Sequence, residues 1–176
     1  MLKNSSTHYG RLAKILHWLI FLLVFVMLIF GYFMDGIQDK TVKSQIFNLH
    51  KLTGITILFL MLLRMVWALT NPKPALPLGT PNWQRHLERA VHVMIYAALI
   101  AMPISGWVMS IAGGHPPHFF KFQLELPIQQ DKAFSKEMFE THSWIAIIII
   151  TLVSVHILAA LYHHFIKKDD VLRRMM

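Results

Sequence analysis

The chain has 176 residues, of which 55% are hydrophobic and 15% charged, and its mean hydropathy is +0.49. This composition excludes an ordinary soluble domain and predicts an integral membrane protein. The chain contains no cysteine, which excludes disulfides, iron–sulfur clusters, c-type haem attachment and thiolate zinc sites. A bound metal must therefore be held by histidine.

Four stretches of the chain are apolar and long enough to cross a membrane. They lie at about residues 15–34, 52–70, 91–112 and 143–165. Four such spans joined by connections predict an all-α fold, an antiparallel bundle of four transmembrane helices. We expect one domain over the whole chain, residues 1–176.

The connections between the spans differ in length and composition. A short outer connection at 35–47 follows the first span, and a proline-rich turn at 71–77 follows the second. Residues 83–89 are expected to form an amphipathic start to the third helix, which contains Pro103. A kink there is tolerable because neighbouring helices can satisfy the freed carbonyl. The longest connection, a polar one at 113–141, precedes the fourth span.

The basic residues indicate how the bundle is oriented. Eleven lysines and arginines and three acidic residues lie on the side of the termini, whereas the other side has six of each. The net charge of +8 thus falls entirely on the side of the termini. By the positive-inside rule, both termini are cytoplasmic. Because this rule accounts for the basic excess, no nucleic-acid partner is required.

Two histidines of the fourth span lie fourteen residues apart, His142 and His156. Fourteen residues of α-helix amount to nearly whole turns and a rise of roughly 21 Å, so both imidazoles project from one face. They therefore approach opposite sides of a bilayer core about 30 Å thick. Ionisable residues inside a membrane are costly and usually functional. This spacing is typical of ligands for two haem groups that conduct electrons across the membrane.

The other spans repeat the spacing of fourteen, which defines two levels in the bundle. The inner level contains His17, Arg64, His92 and His156, and the outer level contains Gly31, His50, Gly106 and His142. A six-coordinate haem needs two imidazoles at one depth. At the outer level only His50 and His142 qualify. At the inner level His156 can pair with either His17 or His92, and the spacing leaves this choice open.

Two further polar residues lie near the inner level. Arg64 either extends to the membrane interface or pairs with a haem propionate or a quinone carbonyl. His163 follows His156 by seven residues on nearly the same face, about 10 Å closer to the cytoplasm. It is either an interfacial polar residue or a ligand and proton carrier for a quinone head group.

The outer side carries histidines and lysines whose interpretation is weaker. His115 and His118 form an ordinary solvated loop more readily than a metal site, because a metal site needs further ligands. Lys40, Lys43 and Lys51 lie close to His50 in sequence and can attract a small anion toward the outer level. The overall neutrality of this side weakens that argument.

Several sequence segments together resemble the bacterial dihaem cytochrome b561 family. They are Ile15-Leu16-His17-Trp18, Asn48-Leu49-His50-Lys51-Leu52-Thr53-Gly54, the arrangement of His156 with His163-His164-Phe165, and the closing Leu172-Arg173-Arg174-Met175-Met176. The resemblance extends from about Gly10 to the last residue, and the combination is specific although no single piece is.

The resemblance implies a multi-pass bacterial inner-membrane protein that binds two haem b groups. By position, His17 and His156 would be the axial ligands of the inner haem iron, and His50 and His142 those of the outer haem iron. His92 would then serve the quinone side with Arg64 and His163. Well-described members of the family oxidise superoxide at the periplasmic face and reduce ubiquinone near the cytoplasmic face, so we expect a quinone-reducing oxidoreductase.

Two other functions are compatible with the sequence. A haem-bearing membrane anchor would relay electrons between quinone and a partner dehydrogenase. The preferred function, in contrast, requires no partner subunit, and another one-electron donor can replace superoxide in it. A transporter lined by histidines would instead bind a translocated metal cation. The visible spectrum separates the classes, because only the haem proteins show b-type bands after reduction.

Overall fold

The computed structural model of the chain describes residues 2–77 and 79–176. Within these residues, four long helices dominate: α1 (Arg11–Phe33), α2 (Lys40–Thr70), α3 (Asn82–Ala112) and α4 (Lys132–Tyr162). All four are long and apolar enough to cross a membrane, and each covers all or most of one of the predicted spans. The all-α membrane bundle expected from the sequence is therefore confirmed.

Two helices begin earlier than the sequence pattern predicts. α2 starts at Lys40 and α4 at Lys132, inside segments that we expected to be loops. Asp39 and Asp131 explain both starts, because each aspartate side chain accepts hydrogen bonds from two backbone N–H groups of the following turn. Hydropathy detects only the apolar part of a helix, so it misses these polar extensions on the outer side of the membrane.

The shortened outer connection between α3 and α4 contains a small antiparallel hairpin. Its strands are β1 (His118–Phe119) and β2 (Phe122–Gln123), with Phe119 paired to Phe122. The side chain of Ser110 at the end of α3 donates a hydrogen bond to the backbone carbonyl of His115. The backbone N–H of Asp131 donates to the carbonyl of Ala112. These bonds fix both ends of the connection to α3.

The helices pack in chain order, α1 on α2, α2 on α3 and α3 on α4, and the last interface is the most extensive. The core is an apolar cluster drawn from all four helices: Leu16, Ile20, Ile57, Met61, Ala98, Leu99 and Ile149. Many large apolar side chains remain exposed around the bundle, as expected for surfaces that face lipid.

The N-terminal segment, the α2–α3 connection and the C-terminal segment meet at one end of the bundle. Asn4 donates to the carbonyl of Pro72 at 3.1 Å, and Trp18 Nε1 donates to the carbonyl of Met175 at 2.9 Å. Both termini therefore lie on the same side of the membrane. α4 ends in a π-helical turn (His163–Lys167) followed by Lys168 at φ 55°, which directs the C-terminal residues back across this end.

Candidate haem sites

The inner level gathers three histidines and one arginine from four helices. The ring centres of His17 and His156 lie 6.2 Å apart, and those of His92 and His156 lie 5.1 Å apart. Arg64 enters from α2 and donates from Nη2 to His17 Nδ1 at 3.1 Å. The residues predicted for this level from helical spacing thus come together in the structure.

These ring distances bear on which histidines can share a metal. Imidazole nitrogens bind first-row metals at about 2.0 Å, so two rings on opposite sides of one metal have centres about 6 Å apart. The separation of His17 and His156 agrees with this value, whereas that of His92 and His156 is too short. The geometry therefore favours His17 over His92 as the partner of His156.

One contact at the inner level must change if iron binds His17. An arginine can only donate, so His17 Nδ1 accepts the bond from Arg64. A neutral His17 then carries its proton on Nε2, the nitrogen that faces away from Arg64. Ligation through Nε2 requires the other tautomer, and Arg64 must release Nδ1 when the metal binds.

Arg64 makes its hydrogen bonds to neighbouring helices. Its Nε donates to the Tyr96 hydroxyl at 3.1 Å and its Nη1 to the Ala13 carbonyl at 3.2 Å. These bonds connect α2 to α1 and α3 and hold the guanidinium inside the bundle. Sequence reasoning missed Tyr96, although it follows His92 by one helical turn and so lies on the same face of α3.

His92 is held by a carboxylate. Its Nδ1 lies 2.7 Å from the Glu88 carbonyl oxygen and 3.0 Å from Glu88 Oε1. Because both atoms accept, Nδ1 carries a proton, and in the neutral imidazole Nε2 is the acceptor. Lys73 pairs with the same carboxylate at 2.7 Å. Glu88 was missed from the sequence, although it precedes His92 by four residues, the spacing of neighbours on a helix face.

A cavity of about 530 Å³ occupies the inner half of the bundle. His17, His156, Arg64, His92 and Tyr96 are its polar lining, and the rest of the wall is mainly apolar. Its volume is in the range of cavities that bind organic ligands, and this combination of walls is typical of them. The cavity therefore fits a large apolar group with a polar rim, such as haem or a quinone.

The C-terminal segment closes part of this cavity. Val171, Leu172, Met175 and Met176 belong to its lining, as does Tyr9 from the N-terminal segment. Burial raises the pKa of the Tyr9 phenol above its usual value, so this hydroxyl stays protonated. This cover depends on the reversal of the chain after Lys168.

His163 lies apart from Arg64 and His92. It is not among the described residues that line the inner cavity. Instead, His163 Nδ1 lies 2.5 Å from Asp169 Oδ2, and the Asp169 backbone N–H donates to the His163 carbonyl. The left-handed turn at Lys168 brings the two residues together. The neighbouring His164 has a buried Nδ1 without a hydrogen-bond partner among the described residues.

At the outer level, hydrogen bonds hold His142 in a fixed orientation. His142 Nδ1 lies 3.0 Å from the Met102 carbonyl and 3.0 Å from Ser105 Oγ. The carbonyl only accepts, so Nδ1 carries the proton and Nε2 is free to bind a metal. A histidine that ligates a metal commonly has its other nitrogen fixed in this way.

Glycines lie against both outer imidazoles. A Cβ added to Gly106 would lie 2.9 Å from His142 Cε1, and one added to Gly31 would lie 3.5 Å from His50 Cε1. The first distance is too short for any side chain, so Gly106 is needed for the position of the ring. His50 Nδ1 is buried and, within the described part of the chain, has no hydrogen-bond partner. A buried polar atom of this kind fits a site for a further group.

Comparison with known proteins agrees with this construction. The family model for prokaryotic cytochrome b561 matches residues 8–176. Cytochrome b561 homolog 2 of Escherichia coli (strain K12) is 33% identical, with 98% of this chain and 93% of the relative covered. Cytochrome b561 homolog 1 of the same organism is 29% identical, with 96% of each covered.

A third relative is named for an activity. The probable superoxide oxidase CybB of Yersinia pestis is 29% identical, with 96% of this chain and 95% of the relative covered. The family match, the four spans and the histidines within them agree on a haem b protein of transmembrane electron transfer, located as a multi-pass protein in the inner membrane. The chain belongs to the prokaryotic cytochrome b561 family.

Proposed function

We propose that the protein oxidises superoxide at the periplasmic face and reduces ubiquinone near the cytoplasmic face, using two haem b groups. The observation that carries this proposal is the pair of histidine levels on α4, separated by roughly 21 Å of helix. One level has a fixed imidazole beside the outer connection, and the other opens into an apolar cavity. The similarity to a probable superoxide oxidase supports the choice of donor.

In this proposal His50 and His142 are the axial ligands of the outer haem iron, and His17 and His156 those of the inner. Bound haem b supplies one-electron redox chemistry. The protein supplies ligand orientation: the Met102 carbonyl selects the tautomer of His142, and Gly106 leaves room for its ring. At the inner level, Arg64 is the cation available to a carboxylate once it releases His17.

The quinone side uses donors and acceptors of the inner cavity. Reduction of ubiquinone to ubiquinol takes two electrons and two protons. Arg64 and Tyr96 can donate hydrogen bonds to a quinone carbonyl, and His92 Nε2 can accept one from a quinol hydroxyl. His163, paired with Asp169 at the cytoplasmic end of α4, is placed to supply protons to this side of the protein.

On the outer side, each superoxide ion loses one electron and leaves as dioxygen. Lys51 is the cation best placed to attract it, because it adjoins His50 and donates only to a neutral carbonyl, that of His115, at 2.7 Å. Among residues 2–77 and 79–176, no carboxylate pairs with Lys51. Lys43, in contrast, lies 3.7 Å from Asp35 Oδ1, which reduces its field at the outer level.

The second proposed function is the membrane anchor for a partner dehydrogenase, which uses the same haem sites with another donor. The activity of the chain without other subunits distinguishes these two functions. A superoxide oxidase works as a single polypeptide in the bilayer with ubiquinone and superoxide as its only partners, whereas an anchor needs a larger subunit for activity.

Stopped-flow mixing of superoxide with the oxidised, haem-loaded protein tests the proposal. We expect haem reduction much faster than the spontaneous loss of superoxide, and electron transfer onward when ubiquinone is present. The Lys51→Gln variant should react more slowly, most clearly at low ionic strength where charge attraction is least screened. Lys132→Gln, at the exposed start of α4, is the matched control and should react like the parent protein. A haem-loaded protein that superoxide does not reduce would falsify the proposed donor.

A further inference from the structure

The hairpin between α3 and α4 exposes three phenylalanines in four residues. Phe119, Phe120 and Phe122 are 54%, 89% and 74% exposed, and Lys121 lies between the last two. Phe119 and Phe120 contact each other edge to face, with ring centres 4.9 Å apart. A contiguous aromatic patch of this kind is costly in water and marks an interaction surface.

The hairpin is held at the level of the outer membrane boundary. Asn48 on α2 donates to the His118 carbonyl at 2.9 Å and accepts from the His118 N–H at 2.8 Å. Trp107 on α3 donates from Nε1 to the Leu124 carbonyl at 2.9 Å. α2 thus holds the first strand of the hairpin, and α3 holds the residue that follows the second strand.

The positions of these two anchors define the depth of the hairpin. Asn48 precedes the apolar stretch of α2 by four residues, which is about 6 Å of helix on the outer side. Trp107 precedes the outer end of α3 by five residues, which is about 7.5 Å on the inner side. The hairpin therefore straddles the boundary between hydrocarbon and head groups.

We propose that residues 118–123 insert their phenylalanine side chains into the outer leaflet of the bilayer that surrounds the bundle. Leu49, beside Asn48, is 50% exposed, so the patch adjoins a surface of α2 that already faces lipid. Aromatic side chains bury a large apolar area at the interface. Lys121 can extend its ammonium toward lipid phosphates while its stem stays among apolar groups.

This anchor gives the outer connection a fixed position. The same connection supplies the His115 carbonyl that binds Lys51. Lipid contact at the hairpin therefore helps to hold the segment beside the outer histidine level. Lipid contact at the hairpin does not require any particular electron donor at the outer level.

Fluorescence quenching of a labelled Phe120→Cys variant tests the insertion. The chain has no cysteine, so a bimane label reacts at this position alone. The full haem-loaded protein is placed in vesicles of phosphatidylcholine and phosphatidylglycerol. We expect quenching by phosphatidylcholine with a nitroxide high on its acyl chain to be several-fold stronger than quenching by aqueous iodide. Each quenching ratio is taken against the same variant without quencher, so that the constant effect of the haem cancels.

Two labelled controls define the scale of this measurement. Lys136→Cys lies on the outer extension of α4 and should be quenched mainly by iodide, whereas Ile147→Cys lies in the apolar span and should be quenched mainly by the nitroxide lipid. Phe122→Cys is a second hairpin position, which keeps the test valid if the first variant loses its haem. Iodide quenching of the hairpin labels as strong as that of Lys136→Cys overturns the proposal. Protection from both quenchers overturns it as well, because that result indicates a protein partner.

Discussion

The two histidine levels of this cytochrome are built differently. At the outer level, backbone and glycine contacts fix the His142 imidazole in a single tautomer. At the inner level, three imidazoles and Arg64 share the wall of a cavity of about 530 Å³. The outer level is suited to hold one cofactor firmly, whereas the inner level opens into a cavity that fits a large organic group.

This difference is compatible with the two proposed reactions. A small one-electron donor needs only access to a fixed cofactor, whereas a quinone needs an apolar cavity with donors and acceptors. α4 supplies one histidine to each level, so the separation of the levels depends on its fourteen-residue spacing. The surrounding helices then determine how firmly each imidazole is held.

The largest expected effect is loss of the outer haem. Under the proposed assignment, His142→Ala removes one of the two axial ligands of the outer iron, so we expect haem content to fall by about half. The pyridine haemochrome assay measures this content in the purified membrane protein. Ser143→Ala is the control, because its hydroxyl donates only to the Phe139 carbonyl within the same helix. Full haem content in His142→Ala would remove this histidine from the ligand set.

The next comparison decides the inner ligand. Because only His17 has the ring separation expected across a metal, His17→Ala should lose the inner haem, and His92→Ala should keep it while ubiquinone reduction slows. Redox titration of the b-type absorbance distinguishes one remaining haem from two. The opposite result, with haem lost in His92→Ala alone, would assign the inner iron to His92.

A smaller effect is expected from the glycine beside the outer ring. The Cβ of Gly106→Ala would lie 2.9 Å from His142 Cε1, so the ring must shift, at a cost of about 1–3 kcal/mol in stability. We expect a lower thermal midpoint and a changed outer haem spectrum. Gly36→Ala is the matched control, since nothing lies within 4 Å of its added Cβ. Equal behaviour of the two variants would contradict the steric role of Gly106.

The smallest expected effect concerns the cytoplasmic end of α4. Asp169→Asn keeps the size of the side chain but removes the carboxylate that faces His163 Nδ1. We expect both haems to be retained and ubiquinone reduction to slow, because His163 loses the charged partner that holds its ring in place. The steady-state rate of ubiquinone reduction is measured, with Asp170→Asn as the neighbouring control. An unchanged rate would separate the His163–Asp169 pair from ubiquinone reduction.

Much of the fold was predictable because it depends on local properties of the chain. Hydropathy identifies the spans, and the basic residues indicate their direction. The fourteen-residue spacing within each helix then assigns His17 and Arg64 to the inner level, and His50 and His142 to the outer level. Glu88 and Tyr96 were also accessible by this reasoning, since each is four residues from His92. Helical periodicity places both residues on the face of His92, but it does not indicate which side chains they contact.

Other features lie outside hydropathy and periodicity. The early starts of α2 and α4 depend on aspartate caps, which are local signals beyond the apolar windows. The His163–Asp169 pair needs a π-helical turn and a left-handed residue, which no hydrophobic period indicates. The separation of His163 from the inner cavity also follows from that turn.

The sequence by itself determined a four-helix membrane protein with histidines at two depths, because periodicity and hydropathy are properties of each helix alone. The distances between the inner histidine rings depend on how the four helices pack. The closure of the cavity between them depends on how the C-terminal segment packs. Those distances are set by contacts between residues far apart in the chain, so only the tertiary structure could supply them.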